Sequence, residues 1–156
     1  MSYNALRKGR ASLVGQAYLV TTVTASRIPL FADLYAGRII VNAMREQDAA
    51  GTTSTLAYVV MPDHVHWLVK LETDASLASV IKQLKGGTAR RLNRCANRLG
   101  AVWQPSFHDH AIREEESLVD AARYVIMNPV RAGLVDCISG YSLWDAAWDM
   151  SDCISL

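Results

Sequence analysis

The chain of 156 residues is 51% hydrophobic and 20% charged. Those proportions suit one globular domain with a real core and exclude an acidic disordered protein. Lys and Arg number 16 against 15 acids, a net charge of +1 that speaks against a highly basic tail.

Cys95, Cys137 and Cys153 are odd in number and share no CxxC spacing, so neither a disulfide framework nor a cysteine zinc cage is supported. A reducing, cytoplasmic compartment is expected. The net charge also averages over unlike regions. Residues 1–32 hold Arg7, Lys8, Arg10 and Arg27 and no acid, and Ala75 to His108 hold Lys82, Lys85, Arg90, Arg91, Arg94 and Arg98, again without an acid. From Asp109 onward nine acids face three bases. Two acid-free stretches either combine into one positive face or are ordinary solvated helix surfaces.

The opening residues have the outline of a secretory signal, but Gln16 interrupts the apolar run and a β-rich stretch follows. Ala17–Thr24 is therefore predicted as the first strand. No 18-residue apolar segment is present, so no membrane span is expected. Asp33–Asp48 reads as a helix capped by Asp33, with Leu34, Ile40, Val41 and Met44 as a broken apolar stripe. Thr55–Met61 and His64–Leu71 read as strands joined by the Pro62-Asp63 turn.

Ser76 caps a further helix whose Leu77, Val80, Ile81 and Leu84 recur at helical spacing. Gly86-Gly87 is expected to break it, leaving Thr88–Leu99 as a second, basic helix. Ala101–Ile112 is a strand or an extended segment, anchored by Trp103 and Phe107. A last helix starts near Glu114 and ends or kinks at Pro129. The order β-α-β-β-α-(α)-β-α predicts an α+β fold: a ferredoxin-like antiparallel sheet with helices packed on it. Residues 1–156 form one domain, whose extended C-terminal tail from residue 136, with Trp144 and Trp148, packs back onto it.

His64-Val65-His66 is the first feature that asks for a chemical explanation. Alternate side chains of a strand share a face, so the two imidazoles point one way while Val65, Trp67, Val69 and Leu71 point the other. A rigid pair about 7 Å apart along the strand can converge on one divalent ion; surface or hydrogen-bonded histidines are the plainer alternative. His108-Asp109-His110 has the same spacing, but a strand there would aim the charged Asp109 at the core. That segment reads as a loop, although His108, His110 and Arg113 are candidates to line the same site. Tyr124 lies at the edge of the Leu118/Ala121/Ala122/Val125 stripe with Asn128 one turn later. Half-buried packing and a helix terminus are the simple readings of that pair.

These signals fall in one order: YVVMPDHVHWLVKL, then WQPSFHDHAIR, then ARYVIMNPVRAGLV. In that combination the chain resembles the REP-associated tyrosine transposases, a branch of the HUH single-tyrosine transposase superfamily, over roughly Arg10 to Val135. The resemblance implies that His64 and His66 are metal ligands, that Tyr124 is the nucleophile, and that Asn128 is the third ligand. Mg²⁺ or Mn²⁺ is the implied cofactor. Oxygen ligands suit the first and imidazole the second.

The implied activity is DNA transposition by a metal-dependent endonuclease and strand transferase. It would cut single-stranded DNA beside palindromic (REP-type) hairpins through a 5′-phosphotyrosine intermediate. A palindrome-binding protein of the same fold that does not cut is the alternative. A small-substrate hydrolase would need a carboxylate base near the histidines, and Asp63 reads more simply as a turn residue. DNA hairpins and single strands are the implied partners, contacted by Arg7, Lys8 and Arg10 and by Lys82, Lys85, Arg90, Arg91 and Arg94. Trp67 and Trp103 are core residues or, less simply, base-stacking platforms. Palindrome-associated members are monomers by this resemblance, insertion-sequence relatives are dimers, and the Trp-bearing tail favours the monomer.

Overall fold

The structure, a computed structural model, describes residues 12–154. Five strands form one antiparallel sheet in the order β4-β1-β3-β2-β5. They are β1 (Ala17–Val23), β2 (Thr53–Val60), β3 (His64–Leu71), β4 (His108–Ala111) and β5 (Trp144–Ala146). The first four make the ferredoxin-like arrangement predicted from the element order. The fifth, supplied by the C-terminal region, extends the sheet beyond β2 and so anchors that region to the domain.

Helices cover both faces. On one lie α1 (Leu34–Ala49) and α2 (Leu77–Cys95), whose Ile40, Met44, Val80, Ile81 and Leu84 pack against Val20, Val65, Trp67 and Val69. Asp33 caps α1 by accepting from Tyr35 N at 2.9 Å, and Ser76 caps α2 by accepting from Ser79 N at 3.1 Å. On the other face lie α3 (Leu118–Ile126), the short α4 (Asn128–Arg131) and α5 (Ser151–Ile154). Here Ala122, Val125 and Ile126 join Ala57, Val59 and Leu68, with Ile138 and Met150 from the tail.

Three expectations need correction. The Gly86-Gly87 pair does not break α2, which runs unbroken across it. Leu84, Thr88 and Leu92 continue the buried stripe past the glycines, and Thr88 Oγ1 donates to Leu84 O at 2.7 Å. That packing outweighs a propensity cost of about 1 kcal/mol per glycine. Second, His108–Ala111 is a strand, not a loop. It lies at the sheet edge, where Asp109 is only half-buried, so the desolvation cost held against a strand is not incurred. Third, the tyrosine helix begins at Leu118 rather than near Glu114, because Ser117 caps it by accepting from Asp120 N. Trp67 and Trp103 are core residues; each indole N–H donates at 3.0 Å, to Thr55 Oγ1 and Thr88 Oγ1 respectively. Cys95, Cys137 and Cys153 form no disulfide. No helix of the described residues is long and apolar enough to cross a membrane.

Candidate active site

The β3 alternation places Val65, Trp67 and Val69 under α1 and α2 and turns His64, His66 and Leu68 to the opposite face. Leu68 belongs to the cluster that holds Ala122, Val125 and Ile126 of α3, so the histidines and the tyrosine helix occupy the same side of the sheet. The two imidazole rings stand 4.9 Å apart between centroids, edge to face. Each has one nitrogen engaged. His64 Nδ1 lies 2.7 Å from Asp63 Oδ1, and His66 Nδ1 lies 2.8 Å from Thr21 Oγ1 of β1.

Burial above all, then the charges of His64 and Arg131, push the His66 imidazole down to about 4. It is therefore neutral at pH 7, the form in which imidazole ligates a metal. Burial works to raise the Asp63 carboxyl, but its bonds to His64 and Arg27 outweigh that, and it sits below the ordinary carboxylate range. Arg27 Nη1 reaches Asp63 Oδ2 at 3.3 Å.

Tyr124 projects from α3 and is 54% exposed. The helix is interrupted just beyond it at Met127, and α4 opens with the Asn128-Pro129 step. Pro129 cannot give the Val125 carbonyl the N–H of a continuing helix. The Asn128 carboxamide takes that place, with Nδ2 donating to Val125 O at 3.1 Å and, more weakly, to Tyr124 O at 3.4 Å. Its nitrogen thus faces the helix, and Oδ1 is the atom left to meet a cation. Arg131 donates to the Tyr124 carbonyl and stacks its guanidinium on the Tyr124 ring.

Two imidazoles and one amide oxygen fit a small divalent cation by their donor chemistry: both Nδ1 atoms are occupied, so Nε2 is the nitrogen that each ring has left to offer. Among the described residues no group of three or more His, Cys, Asp or Glu side chains gathers as a metal cluster, so any cation here depends on this mixed set.

The other sequence candidates disperse. Register places His108, Thr21, His66, Val59 and Trp144 in one row across the five strands. His108 therefore shares the histidine face but stands two strands, roughly 10 Å, from His66. His110 is on the same face and pairs with Glu116 at 3.0 Å; Arg113 is exposed beside them. Lys82, Arg90, Arg91 and Arg94 are exposed on α2, across the sheet from the histidines. Arg91 pairs with Glu46 through two hydrogen bonds.

Lys85 leaves the set offered to DNA: it is half-buried, and its ammonium donates to Gln104 O at 2.8 Å and Ser106 O at 2.7 Å. Arg7, Lys8 and Arg10 lie outside the described residues. Sequence reasoning gave no site role to Thr21, Arg27 or Arg131. Their contacts join strands and helices distant in sequence, and only the Arg131 position, seven residues beyond Tyr124, left a signal in the chain itself.

The family described as "Transposase IS200 like" matches residues 13–128, a span that includes both histidines, Tyr124 and Asn128. A Haemophilus influenzae protein assigned to the REP-associated tyrosine transposases is 33% identical over 97 residues, 56% of this chain and 55% of that one. The REP-associated tyrosine transposase of Escherichia coli is 33% identical over 86 residues, 54% of this chain and 49% of its own. The chain thus spans about half the length of these curated relatives. Among solved structures, a REP-associated tyrosine transposase bound to a REP hairpin superposes with a TM-score of 0.71 at 25% identity, over 86% of this chain and 79% of that chain.

Proposed function

The chain belongs to the IS200-like transposase family, and on that premise we propose that it is a divalent-metal-dependent endonuclease and strand transferase for single-stranded DNA at palindromic hairpins. The observation that carries the reading is the placement of His64, His66 and the Tyr124 helix on one sheet face, with Arg131 stacked on Tyr124 and near enough to His66 to oppose its protonation.

The strand enters along the exposed side of α3, where Tyr124 is accessible. The Tyr124 oxygen attacks the scissile phosphorus; the Tyr O–P bond forms as the P–O3′ bond breaks. The phenol proton is lost to solvent, and the leaving 3′ oxygen takes one up. The phosphodiester is exchanged, not hydrolysed, so the 5′-phosphotyrosine link keeps the bond for rejoining without ATP. When bound, a Mg²⁺ or Mn²⁺ ion held by His64, His66 and Asn128 supplies Lewis acidity to the phosphate. The Arg131 guanidinium, beside the tyrosine, adds a fixed positive charge where charge develops in the transition state.

Hairpin stems are the proposed partners, consistent with the hairpin-bound structure that this chain resembles. Lys82, Arg90 and Arg94 would meet a stem that runs round the sheet edge, while the cut strand lies at the histidines. The proposed compartment is the cytoplasm.

The test is an incubation with hairpin-bearing single-stranded oligonucleotides and Mg²⁺ or Mn²⁺, followed by a denaturing gel. Wild-type protein is expected to carry covalent DNA and Tyr124→Phe none. Tight binding without any adduct would instead support the palindrome-binding reading.

A further inference from the structure

We propose that Thr21 and Asp63 are positioning residues for one divalent cation: Asp63, with Arg27 behind it, fixes the tautomer and aim of His64, and Thr21 fixes the aim of His66. The inference rests on the metal-binding reading above and concerns what makes the two rings a site.

A neutral imidazole has one N–H, and the partner of that N–H decides which nitrogen remains to ligate. Here both Nδ1 atoms are engaged, by unlike groups on different elements. Asp63 is at the tip of the β2–β3 hairpin, next to His64, with its Oδ1 at 2.7 Å. Thr21 lies in the middle of β1, directly opposite His66 in register, with its hydroxyl at 2.8 Å. With both Nδ1 atoms protonated, each ring donates to its oxygen and both Nε2 lone pairs are left for the cation. Strand pairing fixes the Thr21 contact, so the ring of His66 has little freedom to turn away.

The Asp63 side is held just as firmly. The Asp63 carbonyl accepts from Thr24 N at 2.9 Å and from the buried Thr24 hydroxyl at 3.1 Å, which ties the hairpin tip to the end of β1. Its second carboxylate oxygen meets Arg27. Arg27 reaches that position through a short turn in which Ser26 and Arg27 both adopt left-handed backbone, at φ 54° and φ 51°. Residues with a Cβ take that conformation at a cost, and such strain persists where the surroundings impose it. The outcome is a chain from Arg27 to Asp63 to His64, with Thr21 serving His66 alone. A carboxylate only accepts, so it sets the tautomer, and its charge strengthens the ring as a donor more than a neutral hydroxyl, which can also donate, is able to. Asp63 is therefore the stronger of the two supports.

The test is Mn²⁺ affinity without DNA, read at fixed pH from the EPR signal of the free ion, on full-length protein. The variants are Thr21→Val, Thr21→Ser, Asp63→Asn, Asp63→Ala and, as the ligand control, His66→Ala; circular dichroism and urea midpoints report their folding. Because backbone bonds hold the turn, Asp63→Asn is expected to fold. Wild type binds, and His66→Ala does not. Thr21→Val binds roughly 10-fold more weakly and Thr21→Ser like wild type, while Asp63→Ala loses up to about 100-fold and Asp63→Asn less.

Wild-type affinity in folded Thr21→Val and Asp63→Ala overturns the inference while leaving the metal reading intact. An equal loss in Thr21→Ser and Thr21→Val also overturns the role of the hydroxyl. Absence of Mn²⁺ binding by wild type, or undiminished binding by His66→Ala, overturns the metal reading and this inference with it.

Discussion

The guanidinium of Arg131 stacks on the ring of Tyr124, its central carbon 4.3 Å from the ring centroid. The same side chain donates to the Tyr124 carbonyl, so one residue of α4 grips both the backbone and the ring of the proposed nucleophile. A planar, permanently charged fork can do both at once; a lysine ammonium cannot.

Removing that grip is expected to slow chemistry more than binding. Arg131→Ala should lower the single-turnover rate of adduct formation by roughly 100-fold, the usual scale for a charge aimed at a transition state. Arg131→Lys should recover only part of it. An unchanged rate in Arg131→Ala would show the stacking to be incidental.

The depressed His66 titration predicts a pH-dependent stability. A histidine in the unfolded chain titrates near 6.5, whereas the folded one is held down to about 4. Between those values the unfolded chain binds the proton and the native one does not, so stability rises with pH across that window. The contribution is fully present above about 6.5 and is lost as pH falls toward 4, and amounts to about 3 kcal/mol. Urea titrations at pH 7 and pH 4.5 should show a smaller difference for His66→Gln than for wild type. Equal differences would contradict the assignment.

The unbroken α2 helix predicts a stabilising substitution. Gly87 has helical backbone, and the space that an alanine methyl would enter is open, with no neighbouring atom within 4 Å outside its own helix, so Gly87→Ala meets no obstacle. It should raise stability by about 0.5–1 kcal/mol in urea unfolding. A loss would mean that the pair does act as a hinge.

Two cations of α2 should separate cleanly. Lys85 is tied to the carbonyls of Gln104 and Ser106. Lys85→Met should therefore cost about 1–3 kcal/mol of stability and leave the salt dependence of hairpin binding unchanged. Arg94, exposed on the same helix, should behave the opposite way: Arg94→Gln keeps stability and lowers the salt slope by roughly 1. Identical behaviour of the two would remove α2 from the proposed DNA path.

Much of this site was legible in the chain. Strict alternation around His64 and His66 revealed their common face, and the order of three motifs gave meaning to Tyr124 and Asn128, whose spacing alone would suit ordinary helix packing. Glycine propensity misled at Gly86-Gly87 because it is local, whereas the buried positions Leu84, Thr88 and Leu92 are held by tertiary packing. Edge position rescued Asp109 from the burial that a strand seemed to demand. The Thr21–His66 contact joins residues 45 apart and depends on the β1–β3 register, which no single segment encodes. Charge runs likewise said nothing of which sheet face would carry them: the α2 cations lie across the sheet from the histidines.

The central claim is that Tyr124 becomes covalently linked to DNA, and mapping that link tests it most directly. Wild-type protein is reacted with a hairpin-bearing oligonucleotide and Mn²⁺, digested, and sequenced by mass spectrometry. The account predicts a 5′-phosphate of the downstream DNA fragment on the peptide containing Tyr124, and a free 3′-hydroxyl on the upstream fragment. Intact DNA bound without a link, or a link on any other residue, would contradict it.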